Sequence, residues 1–284
     1  GLHDHPICGE TCEDGANHGE QTWKPVSSLD EITKEGNYYL TQSVAINSTW
    51  EPVDGVVLCL NGYGITLDAD GPVIEVQPGA TFTLCDCKGG GTITHKSDIP
   101  GQGVTASADF TMYGGTISGN TATRNGGGVY FSGMSGMSGS GNTLTISDAV
   151  EISGNSAANG GGVYLNSRNL KMTGGSIINN NVTGSGGGVY FKGDTFNVSG
   201  NVSITGNKNT GSGLTDADNN VYLPANKYIT VAGALTGSKI GVTTENTPSP
   251  SDYVQIASGN YADPDKFLYE NDGTAVSAVV DRYT

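Results

Sequence analysis

"NGGGVYF" occupies residues 125–131, "NGGGVYL" residues 159–165 and "SGGGVYF" residues 185–191. A weaker copy, "NNVYLP", runs from 219 to 224. Each copy bends the chain and then extends it through Val, Tyr and a second apolar residue. Upstream of each lies "I-x-x-N": "ISGN" at 117–120 and 152–155, "IINN" at 177–180 and "ITGN" at 204–207. Before that comes an apolar-x-apolar pair: Phe110/Met112, Leu144/Ile146, Leu170/Met172 and Phe196/Val198. Successive pairs begin 34, 26 and 26 residues apart, and the longer step holds the low-complexity insertion "SGMSGMSGSG" at 132–141.

A period near 26 residues predicts a stacked array rather than a closed core. Helix is excluded, because each unit carries several glycines and no apolar run at 3.6 spacing. Three short runs of period 2, separated by Gly, Asn and Ser, predict an all-β parallel β-helix with coils about 4.8 Å apart. Alternation then turns Val129, Val163, Val189 and Val221 inward, with Tyr130, Tyr164, Tyr190 and Tyr222 outward in one column. Ile117, Ile152, Ile177 and Ile204 form a second inward column. Asn120, Asn155, Asn180 and Asn207 fall at the next corner, where they can hydrogen-bond along the axis and take left-handed geometry. The triple glycines are expected to supply positive φ at the other corner.

"GGTISGN" (114–120) and "GGSIINN" (174–180) resemble the GG-x-I repeats of polymorphic outer-membrane proteins and, more widely, right-handed parallel β-helix surface proteins. The likeness covers about 105–230. It implies a single-stranded right-handed solenoid and no particular activity, since lyases, hydrolases, adhesins and stalks share that fold. The opening, with "HDHPICGETCEDGANHGEQTW", "GNYYLTQSV" and "LCLNG", resembles modules of large secreted surface proteins of gut Firmicutes. That resemblance implies a bacterial, extracellular setting, secreted or cell-wall attached, within a larger polypeptide. Three regions follow: a His/Cys-rich preface at 1–35, the β-helix of roughly eight coils at 36–243, and a loop with a C-terminal strand and hairpin cap around "NDG" at 244–284.

The 284 residues carry a formal net charge of −15, and only 14% are charged. Such a chain has no basic footprint for nucleic acid. No run of about 20 apolar residues is present to insert into a membrane.

His3, His5, Cys8, Cys12 and His18 crowd the preface. A structural zinc site using His5, Cys8, Cys12 and His18 is one expectation, because thiolates and imidazoles at this density suit tetrahedral Zn²⁺. A Cys8–Cys12 disulfide is the alternative. Cys59 and Cys85 fall on the outward face of neighbouring strands, where they could pair, meet the preface, or sit as small residues under an N-terminal flap. "LDADG" (67–71) and "LTDADNN" (214–220) are Asp-rich turns that could bind calcium through carboxylates and carbonyls.

The candidate binding residues are Tyr130, Tyr164, Tyr190 and Tyr222, whose aligned rings could stack on sugars or simply on one another. The expected role is a non-catalytic adhesin or rigid stalk that contacts a host or microbial glycan or a protein ligand. The alternative is a carbohydrate-active enzyme, a polysaccharide lyase or glycosidase. A glycosidase needs two carboxylates about 5–9.5 Å apart. In the regular coils Asp148 and Glu151 are the best pair, with Glu151 in a row otherwise filled by Thr116, Ser176 and Ser203.

Overall fold

The computed structural model describes residues 23–133, 142–211, 217–249, 251–270 and 278–281. It is a parallel β-helix. One continuous sheet of 22 strands winds through the chain, and every pairing within it is parallel. Three columns of strands repeat coil after coil. One carries Val56, Phe82, Phe110, Leu144, Leu170 and Phe196 directly above each other. A second stacks Ile65, Ile93, Ile117, Ile152, Ile177, Ile204 and Ile240. The third stacks Ile74, Val104, Val129, Val163, Val189, Val221 and Val242. Nearly all of these side chains are wholly buried and form one hydrophobic core along the axis. Parallel stacking of like on like keeps each Val or Ile against its equivalent one coil away.

Stacking already begins at Trp23–Val26, which pairs in parallel with Gly36–Leu40, inside the segment expected as preface. At the other end the turn of the expected hairpin, 271–273, lies outside the described residues, and the strands on either side of it are not paired with each other. Phe267–Tyr269 pairs with Ile240–Val242, and Ala278–Asp281 pairs in parallel with Val254–Ser258. Both strands extend the existing columns, which offer a ready edge, instead of closing on each other.

The corners differ from expectation in one respect. Left-handed backbone is not on the ladder asparagines but on the residue before each: Gly119 (φ 69°), Gly154 (63°), Asn179 (55°) and Gly206 (68°). In the triple glycines only the first has positive φ, at Gly126, Gly160 and Gly186. The third is required for clearance. A Cβ on Gly128 would fall 2.6 Å from Gly162 O, 2.7 Å from Ile152 Cγ2 and 3.1 Å from Asn155 Nδ2. Gly162 and Gly188 meet the same wall of carbonyl, isoleucine methyl and asparagine amide one coil further on.

Candidate functional site

The outward column stands as expected. Tyr130, Tyr164, Tyr190 and Tyr222 are in register on adjacent strands. Their ring centroids are 5.6, 4.8 and 4.9 Å apart, with interplanar angles of 10°, 20° and 31°. The coil repeat alone brings the rings this close, since it nearly matches the thickness of offset-stacked aromatics. One consequence bears on function. The ring faces are spent on each other, and Tyr164 keeps only 9% of its surface exposed. What the column offers a ligand is a row of ring edges and hydroxyls. Burial pushes the Tyr164, Tyr190 and Tyr222 hydroxyls up, helped at Tyr190 and Tyr222 by the Glu245 carboxylate. Below Tyr130 the column continues through Thr105 and Glu75, and above Tyr222 through Thr243.

The inner corner holds a second row, which carries more hydrogen bonds than expected. Asn120 donates from Nδ2 to Asn155 Oδ1 (3.0 Å), Asn155 to Asn180 (3.0 Å), Asn180 to Asn207 (2.9 Å) and Asn207 to Asn220 (2.7 Å). Each Oδ1 also accepts the backbone N–H of the rung before it, and each Nδ2 also donates to two backbone carbonyls. All amide dipoles therefore point one way. At the carbonyl end, His95 places Nδ1 2.7 Å from Asn120 Oδ1 and Nε2 2.7 Å from Gly71 O. At the amide end, the Glu270 carboxylate accepts from Asn220 N (3.0 Å) and from Asn220 Nδ2. Burial pushes the Glu270 carboxyl up, while its bonds from Asn220 act in the opposite direction. The anion caps the end of the row where amide hydrogens are left over. His95, Asn220 and Glu270 were not legible as part of this row, because none lies in an "I-x-x-N" element.

The proposed acid pair does not share one setting. Glu151 lies in the row Thr92, Thr116, Glu151, Ser176, Ser203, Lys239, where its carboxylate accepts the Ser153 hydroxyl (2.6 Å). Asp148 is exposed in the register shift between Ile146 and Glu151, and its side chain lies against Gly174 of the next coil. Of the Asp-rich turns, Asp68 pairs with Lys96 (2.6 Å) and Asp218 with Lys208 (2.5 Å). Among the described residues no group of three or more His, Cys, Asp or Glu is arranged to hold a metal ion. The zinc candidates His5, Cys8, Cys12 and His18 lie outside the described residues.

Cys59 and Cys85 are register partners on neighbouring strands, as alternation placed them. They are buried on the outer face of the coil, because Trp23 of the first strand packs over them. A cleft of about 460 Å³ opens at the C-terminal end, where the loops after Leu223 and Thr244 leave the regular coil. Its lining includes Tyr228 (42% exposed) and Tyr253 (65%), with Asn246, Asp252 and Gln255. Only the loop composition of 244–252 hinted at this irregularity.

Comparison with family models, curated proteins and solved structures returns no match for this chain. No helix among the described residues is long and apolar enough to cross a membrane.

Proposed function

We propose that the chain is a non-catalytic β-helix module of a secreted or cell-wall-attached bacterial surface protein, acting as a rigid stalk or adhesin. The observation that carries this is the continuity of the side-chain rows. Inward Val and Ile columns, the amide row and the tyrosine row run through the same coils without a break. Bending at any coil strains all of them together, which suits a part that holds two ends at a fixed distance. Ligand contact, whether with a glycan or a protein, falls on the row of tyrosine edges from Tyr130 to Tyr222.

Two assays test this. Incubation with plant, host and microbial polysaccharides should release no reducing ends. Release that disappears in Glu151→Gln would replace the proposal with a glycosidase. In glycan and protein binding screens, any ligand found should lose at least half its binding in Tyr190→Ala. Loss in Tyr253→Ala alone would move the contact to the C-terminal cleft.

A further inference from the structure

Two thiols lie under Trp23 and a third stands beside them in solvent. Cys59 and Cys85 are in-register neighbours and buried, whereas Cys87 is exposed. The Cys85-Asp86-Cys87 turn is pinned by the Asp86 carboxylate, which accepts from Gly62 N (2.7 Å) and Gly91 N (2.6 Å). So held, the turn aims the Cys87 N–H at the Cys59 sulfur, 3.4 Å away. Cys87 Sγ sits 3.6 Å from Asn61 Oδ1. The Cys59 sulfur thus accepts the Cys87 backbone N–H, with Cys85 beside it in register on the neighbouring strand.

We propose that Cys59 and Cys87 form a thiol–disulfide exchange site: a small disulfide enters at the exposed Cys87, and the buried Cys59 displaces it to close a Cys59–Cys87 bond. The geometry assigns the roles. Cys87 is the one thiol of the three in solvent. Cys85 is enclosed and lies in register with Cys59. The Cys59 thiol is brought down to about 7, chiefly by the Cys85 hydrogen bond and against its own burial. Burial and the neighbouring Cys59 charge push Cys87 up to about 12, so Cys87 needs a base to react.

The chemistry balances as follows. The Cys59 thiolate takes the Cys87 proton as Cys87 sulfur attacks the incoming disulfide RSSR, giving a Cys87–S–S–R bond and releasing RS⁻. That leaving thiolate removes the proton from Cys59. Cys59 sulfur then attacks Cys87 sulfur, forms the intramolecular bond and expels the second RS⁻. The protein dithiol is oxidised and RSSR is reduced to two thiols. The product ties neighbouring coils beneath Trp23 and closes a 28-residue span between positions 59 and 87.

The test uses the whole chain, reduced, freed of reductant and incubated with oxidised glutathione. Samples are quenched in acid, alkylated and mapped by peptide mass spectrometry. Wild type should yield peptides cross-linked through Cys59 and Cys87, with Cys85 alkylated. Cys59→Ser should trap glutathione on Cys87, and Cys87→Ser should leave Cys59 and Cys85 free. A further readout needs no variant to fold. Closure in the wild type should quicken about tenfold per pH unit below neutrality and level off above about pH 7. A Cys59–Cys85 cross-link, glutathione on Cys59 in Cys87→Ser, or no modification of Cys87 in the wild type would overturn the proposal.

Discussion

The asparagine row and the tyrosine row climb the same coils at the same rise, yet they are different kinds of structure. Asn120, Asn155, Asn180 and Asn207 are fully buried, and each amide bonds both its neighbouring rungs and the backbone. The tyrosines face outward and stack along the row, and Tyr130, Tyr190 and Tyr222 keep part of their surface in water. Burial makes the first row obligatory, because an amide without partners in a dry corner costs the full desolvation of its groups. Exposure makes the second row optional, because a lost ring is replaced by water. The inner row is also directional, with a carboxylate at one end and a histidine at the other, whereas the four tyrosines are flanked by Thr105 and Thr243.

The contrast would break if the two rows proved equally costly to interrupt. Asn155→Ala should have the largest effect. It removes the acceptor of Asn120 N, one of the acceptors of Asn120 Nδ2, and the amide donor to the Ile117 and Ser153 carbonyls. A loss of about 4 kcal/mol or more is expected from several unsatisfied buried groups, read as a lower midpoint in urea unfolding. Gly162→Ala comes next. Its Cβ would sit 2.6 Å from Gly188 O and from Ile177 Cγ2, in a row with no slack. Overpacking of this kind costs about 2–3 kcal/mol in the same measurement.

Tyr164→Ala should cost about 2 kcal/mol, since it removes two stacking partners and their buried area. Tyr130→Ala, at the end of the row, removes one and should cost about 1 kcal/mol. An equal loss at both positions would mean that the stacks do not act on each other.

The smallest effect is in alkaline titration. Tyr164, Tyr190 and Tyr222 hold their protons more tightly when folded. Their contribution to stability is therefore complete below the ordinary tyrosine range near pH 10 and is lost as pH rises through the raised folded values. Tyrosinate absorbance should show these three ionising above the ordinary tyrosine range. Ionisation of all three within that range would contradict the burial assigned to the row.

A strict repeat makes neighbours predictable. Whatever recurs near every 26 residues must lie one coil away from its copy, so the Val, Ile, Tyr and Asn columns were legible from position alone. So were the outward face of Cys59 and Cys85 and the place of Glu151 among Thr116 and Ser176. Only the tertiary structure decided what happens where the repeat stops. Asn220 and Glu270 meet across 50 residues, and His95 takes an amide's place from an element that lacks the motif. Position could not reveal that the third glycine makes room for an isoleucine methyl and an asparagine amide, or that the tyrosine faces are used up by each other. Nor could it place Trp23 as a lid over the thiols, or bring the exposed Cys87 back to the buried Cys59 sulfur. Periodicity carries the direction of each side chain. Clearance, capping and the return of a turn depend on distances between atoms that no spacing encodes.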